Sequence, residues 1–149
     1  MKYALERYDD VINEIVPLLE EHYLEIAKYK DIPLKPDWDL YKKLDETGIM
    51  KLFTCRGDSD NALIGYGVYF VKSHLHYSTC LIAQQDILFI SKKYRGRGMH
   101  FINWCDSRLK EMGVQLTIQH IKADHNFGVA LERVGYELMD LIYTRRLDS

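Results

Sequence analysis

Long apolar runs are missing from this chain. None approaches the roughly 18 residues of a membrane span, and the first residues, Met1-Lys2-Tyr3-Ala4-Leu5-Glu6, lack the apolar centre of a secretory signal. Cysteine is sparse. Cys55, Cys80 and Cys105 form no CxxC pair, and an odd, scattered set points to reduced thiols in a cytoplasm, not to a disulfide frame or a zinc site. An excess of one charge is missing as well. The 20 basic and 22 acidic residues leave a formal net charge of -2, so no chain-wide basic field is offered to nucleic acid or an acidic membrane. Internal repeats and low-complexity segments are absent.

What is present suits one packed domain over 1–149, since 47% of the 149 residues are hydrophobic and 28% charged. Ile12, Ile15, Val16, Leu19, Tyr23 and Ile26 fall at helical spacing behind Asp9 and Asp10 as possible caps. Pro17 predicts a kink there, or two short helices. Pro33 and Pro36 mark a linker, and a second helix is expected from a cap near Asp37 to Gly48.

The period then changes. Strands are expected over 50–55, 62–71 and 80–90, with a turn at 56–61. Phe101, Ile102, Cys105, Leu109 and Met112 share one face of a helix over 98–112. A strand over 114–121 turns Leu116, Ile118 and His120 one way. A short helix over 126–134 stops at Gly135, and Leu138 to Leu147 closes the chain as a strand. Hairpins followed by a crossover helix imply an α/β or α+β sheet of mixed direction.

The sharpest local signal is "KKYRGRGMHFINW", a basic, glycine-broken loop between a hydrophobic strand and an amphipathic helix. The first N–H groups of a helix lack intrahelical partners, and the dipole is positive there. Glycine lets an anion reach the backbone. By itself, RGRG fits a solvated turn equally well.

In its context, "DILFISKKYRGRGMHFINW" resembles the acetyl-CoA signature of the GNAT N-acyltransferases, in which Arg or Gln, two residues, Gly, one residue, and Gly or Ala follow a strand. Arg95 and Gly98 fill the first two positions, and His100 stands where a small residue is expected. The order of elements and a late "LERVGY" extend the resemblance over most of the chain. "EEHYLEIA", "SHLHY", "QQDILFI" and "QHIK" are further similar to GNAT-type proteins of tailed phages and prophages, which would place the protein in a host cytoplasm.

The resemblance implies a mostly antiparallel central sheet with a splayed central strand pair and about four helices. It implies acetyl-CoA as cofactor, no metal, and attack of a neutral amine on a thioester. Backbone groups of Leu88 and Ile90 would bond pantetheine. The amides of Arg95, Gly96, Arg97, Gly98, Met99 and His100 would take the pyrophosphate. Asn126 resembles the Asn that opens the fourth helix, although Asp124 fits the spacing to Gly135 better. Leu131 stands where the family often carries a thiolate-protonating Tyr.

An amine with a pKa of about 10 is mostly protonated at pH 7, so a base is useful. Asp86, two residues before Leu88 and on the same strand face by simple alternation, is the first candidate, and His120 on the next strand is the second. The two are expected to face one cleft, with His76 at its rim beside His74 and Tyr77, and His22 on the helix opposite. Each also fits a plainer role: His120 as a hydrogen-bonded core residue, Asp86 as a buried partner, and the His74–Tyr77 cluster as a polar turn. The acceptor would be a small-molecule or protein amine. A non-catalytic acyl-CoA- or partner-binding protein is the competing reading, favoured by Leu131 and His100. An enzyme modifying nucleic acid is disfavoured by the net charge. Apolar and aromatic residues at the ends of "GYGVYFVKSHLHY" and "LIYTRRL" fit a homodimer and, equally, a monomer that buries its aromatics in the core.

Overall fold

A computed structural model describes residues 1–148. Five strands form one sheet in sequence order: β1 (Lys2–Glu6), β2 (Met50–Arg56), β3 (Leu63–Ser73), β4 (Leu81–Ile90) and β5 (Leu116–Ile118). β1 to β4 pair antiparallel, and only β4–β5 is parallel. Helix α3 (Gly98–Glu111) makes that parallel crossover, because parallel neighbours cannot be joined by a tight turn. The mixed, mostly antiparallel sheet with four helices is the architecture expected.

Alternation along β2 and β3 divides the core. Leu52, Tyr66 and Val68 pack with Tyr8, Val11 and Ile15 of α1 (Tyr8–Ile26), and Trp38, Tyr41 and Leu44 of α2 (Trp38–Glu46) pack against that cluster. Phe53, Tyr69 and Ala83 face the other way, onto Phe101, Cys105 and Leu109 of α3. Phe101, Ile102, Cys105 and Leu109 of the apolar period read from the sequence form the buried face of α3, whereas Met112 lies just past the helix and is exposed. Burial pushes the Cys55 thiol up to about 11 and that of Cys105 higher, so both behave as small core hydrophobes.

Several expectations are corrected. Of a kink or two short helices at Pro17, the second is excluded, since α1 runs through Pro17 as one helix; Asp9 and Asp10 lie in its first turn, with Arg7 at the N-cap. Burying one face against the sheet outweighs the single backbone bond that proline removes. β1 is an addition to the expected strands; five residues carry too little pattern, and its partner is β2, far along the chain. β5 is only three residues long, so His120 lies beyond the strand. Residues 138–147 form no strand. That segment is tied by side chains to the α1–α2 linker, through Tyr29 Oη to Thr144 Oγ1 at 3.0 Å and Arg146 to Asp31 at 2.9 Å. Strand-forming residues need a neighbouring backbone to pair with, and this segment makes no backbone–backbone bond among the described residues.

No helix among the described residues is long and apolar enough to cross a membrane.

Candidate active site

The β4–β5 ladder runs from Ile82↔Leu116 to Gln84↔Ile118 and stops. Past that point β4 continues six residues further, to Ile90, paired only with β3. Its β5-facing edge is open there, so β4 and β5 part, although β5 is the edge strand of the described sheet and not a central one. Two features produce the parting.

The first is a wedge. Gln85 is 5% exposed, and its side-chain Oε1 accepts the backbone N–H of His120 at 2.7 Å. A side chain thus takes the bond the ladder would have made next, and holds the strands apart by its length. Below it, Gln119 donates to Tyr69 Oη at 2.7 Å, and Tyr136 Oη donates to Asp106 at 2.6 Å. Burial raises the carboxyl of Asp106, and Tyr136 is raised by burial and by that carboxylate. Gln85→Leu should cost about 1 kcal/mol through the lost bond, and should speed hydrogen exchange at the His120 amide. Gln85→Glu, which keeps an acceptor oxygen, should restore protection.

The second is a bulge. Val68 pairs with Ile87 but Tyr69 pairs with Gln85, so Asp86 is an extra residue on β4. This corrects the expected alternation. Leu88 belongs with the α3-side cluster, whereas Asp86 and Ile87 both lie on the α2 side. Asp86 accepts a hydrogen bond from Tyr41 Oη at 2.7 Å through Oδ2. It borders a groove of about 530 Å³ between α2, the 34–37 linker and β3–β4.

The expected pairing of Asp86 with His120 is not formed, since the carboxylate bonds Tyr41 and the described contact of His120 is its backbone N–H on Gln85. The His120 residue is exposed at the point of parting. His76 lies in the exposed β3–β4 hairpin loop, its N–H on His74 Nδ1 at 3.0 Å. Since His74 pairs with Cys80, that loop begins roughly 20 Å along β4 from Asp86 at about 3.3 Å per residue. His76 is therefore at the far end of the hairpin and not on the rim.

At the other end of β4 the chain enters a 3₁₀ turn, Lys92–Arg97, and then α3. The α3 N-terminus has no side-chain cap. Gly98 is helical, at φ -57° and ψ -40°, and a Cβ on Gly96 or Gly98 would meet no atom within 4 Å. Neither backbone conformation nor internal packing asks for these two glycines. Their bare backbone faces open space, a cradle that side chains would fill. Met99 is half-buried in the first turn of α3, and His100 is exposed there.

The side chain of Arg95 has a partner that the sequence does not reveal. Its guanidinium makes a two-pronged pair with Glu25 of α1, and its Nε donates to the Ile90 carbonyl at 3.3 Å. It ties the loop to α1, and Lys92, Lys93 and Arg97 are the exposed cations of the loop outside that pair. Asn126 acts locally, where its Oδ1 accepts the N–H of Gly128 at 2.8 Å, at the start of α4 (Gly128–Arg133). Leu131 is buried in α4.

His22 packs its ring on Phe89 of β4, with centroids 4.9 Å apart. Burial, helped by Arg95 and Lys122 and opposed by Glu25, pushes its imidazole down to about 4. The folded chain therefore resists protonation that the unfolded chain accepts between about pH 4 and 6.5. The stability at stake is complete above that window and is lost as pH falls through it. After discounting for partial exposure, the loss should be about 2 kcal/mol. His22→Phe should flatten the melting temperature between pH 6.5 and 4.5 relative to the unsubstituted protein.

Tyr41, Gln85 and Glu25 carry no signal of a site role in the sequence. Tyr41 reads there as a helix-face residue, and its partner Asp86 is 45 positions away. Among the described residues there is no group of three or more His, Cys, Asp or Glu side chains that could hold a metal.

The fold is similar to that of solved N-acetyltransferases. A ribosomal-protein-alanine N-acetyltransferase from Brucella melitensis biovar Abortus superposes with a TM-score of 0.70 at 18% identity, over 99% of this chain and 100% of that one. An aminoglycoside acetyltransferase from an uncultured soil metagenomic sample gives 0.69 at 15%, over 97% and 96%. Glucosamine-6-phosphate N-acetyltransferase from Arabidopsis thaliana gives 0.71 at 12%, over 99% and 100%. No protein-family model matches the sequence, and neither does any curated protein. The likeness is one of fold.

Proposed function

We propose that the chain is a single-domain, acetyl-CoA-dependent N-acetyltransferase acting on a primary amine. The observation that carries this is the open β4 edge running into a loop whose glycines the fold does not require. The residues fit the cofactor. Backbone groups of Leu88 lie on the open stretch of β4. Met99 and His100 lie in the uncapped first turn of α3, where an anion is favoured, and Gly96 and Gly98 keep the approach open, although the Gly98 N–H itself is given to the Arg95 carbonyl. Arg97, Lys92 and Lys93 add charge, while Arg95 and Ile90 act by holding the loop.

When bound, acetyl-CoA supplies an activated acetyl thioester. The chain itself then has to bring a neutral amine to it in the right orientation. Tyr41 occupies Oδ2 of Asp86, which leaves Oδ1 to receive the proton of the incoming ammonium. His120, exposed on the opposite side of the parting, is the alternative base. Neither Asn126 nor His76 is given a direct part.

A non-catalytic acyl-CoA-binding protein is the second reading, and buried Leu131 favours it. The phage likeness and action in a host cytoplasm rest on the sequence stretches alone. A homodimer is supported by Leu138, Met139, Leu141 and Ile142, each at least 70% exposed.

Acetyl-CoA at 100 times its dissociation constant should stabilise the protein by about 2.7 kcal/mol, and amines should then release free thiol. Absence of any thermal shift at millimolar acetyl-CoA overturns both readings. A shift without thiol release from any amine leaves the second.

A further inference from the structure

The groove beside Asp86 has a chemistry of its own. Leu34, Leu40 and Phe70 line it with Ile87, and Leu34 and Leu40 remain 37% and 50% exposed. Apolar surface left wet inside a concavity is stabilised by an apolar occupant. Its volume, about 530 Å³, falls in the range of small-molecule sites and below what a folded polypeptide surface needs.

The polar groups are few and mostly engaged. Tyr41 Oη is given to Asp86, and Asp37 Oδ1 caps α2 through the Leu40 N–H at 3.0 Å. Lys35 is the one cation in the lining, against the carboxylates of Asp37 and Asp86. This balance favours a cation over a phosphate or carboxylate. No free hydroxyl or amide side chain lines the groove, so a polyhydroxylated acceptor would lose its water without replacement.

The position is equally specific. Asp86 comes two residues after Gln84, the last β4 residue paired with β5. A cation held at Asp86 therefore stands where the open edge of β4 begins.

We infer that the acceptor is a small monoamine on an apolar body, with its chain in this groove and its nitrogen at Asp86. The inference rests on the acyltransferase reading for its chemistry, but amine recognition by the groove can be measured without catalysis. It departs from the acceptors named for two of the similar structures, an aminoglycoside and a sugar phosphate.

The test is calorimetric titration of the protein with butylamine, hexylamine, phenethylamine, glucosamine 6-phosphate and a lysine peptide, each with and without coenzyme A. Hexylamine should bind about 10-fold more tightly than butylamine, the effect of two buried methylenes. Phenethylamine should match hexylamine, and the sugar phosphate and peptide should bind more weakly than either. Leu40→Glu, at a half-exposed position of α2, should flatten the chain-length series. A flat series in the unsubstituted protein, tighter binding of the sugar phosphate or peptide, or an unchanged series in Leu40→Glu would each overturn the inference. Coenzyme A affinity, measured in parallel, judges the acyltransferase reading separately. Coenzyme A binding with a flat amine series rejects only the acceptor class. A graded amine series without coenzyme A binding rejects only the acyltransferase.

Discussion

Asp86→Asn lowers turnover by about 10²- to 10⁴-fold while leaving acetyl-CoA affinity close to its original value. Asparagine has the shape of aspartate, so Tyr41 Oη keeps an oxygen to donate to, and the bulge at residue 86 has no reason to shift. What disappears is the charge that attracts an ammonium and the oxygen that takes its proton. Loss on this scale with an unchanged melting temperature separates a reacting group from a bracing one. Tyr41→Phe is the companion variant. It frees Oδ2 and removes an orienting bond, so its effect should be smaller. His120→Ala decides between the two sides of the parting. If His120→Ala abolishes turnover and Asp86→Asn does not, the base stands on the β5 side and the role given to Asp86 is refuted. Stability must be measured on the same samples, because His120 also provides the N–H that Gln85 holds, and that backbone group survives in the alanine variant.

How much of this is legible in the sequence depends on the range of each interaction. The buried face of α3 is legible because Phe101, Cys105 and Leu109 repeat with the helical period. The glycine loop is legible because its chemistry is contained in a few consecutive residues. The bulge is not. "QQDILFI" reads as plain alternation, and one extra residue reverses every face assignment on one side of it, so alternation alone puts Asp86 with Leu88. β1, the Gln85 wedge and the Tyr41–Asp86 bond all depend on partners more than 30 residues away in the chain. The strand expected over 138–147 illustrates the reverse. Its residues have strand propensity, but propensity acts only where an edge is available. Arg95 reads as part of the loop, but its pair with Glu25 is not legible, since Glu25 lies on a helix far from it in sequence.

Gly98→Val weakens acetyl-CoA binding by about 10- to 100-fold if the loop backbone lies against phosphate, the scale of forcing extra methyl groups into a filled contact. The fold itself should hardly notice. A Cβ at Gly98 meets nothing within 4 Å, and the residue already has helical dihedral angles. The cost to the free protein should be a few tenths of a kcal/mol, from placing a β-branched residue in the first turn of α3. A large loss of affinity with a nearly constant melting temperature would thus locate the ligand directly. Gly96→Val should act in the same direction, since it faces equally open space. His100→Ala should change affinity little and His100→Gly should leave it equal or better, because His100 is exposed and the chain already carries a side chain there. Arg95→Gln is the informative contrast. Its pair with Glu25 is partly exposed and worth up to about 1 kcal/mol, so it should lower stability and loosen the loop more than it removes a phosphate contact. If titration finds Gly98→Val silent and His100→Gly unable to bind, the cofactor loop is out of register by the spacing between them. If Arg95→Gln alone abolishes binding at unchanged stability, its guanidinium leaves Glu25 for the ligand, and the anion is held by side-chain charge more than by the bare backbone of α3.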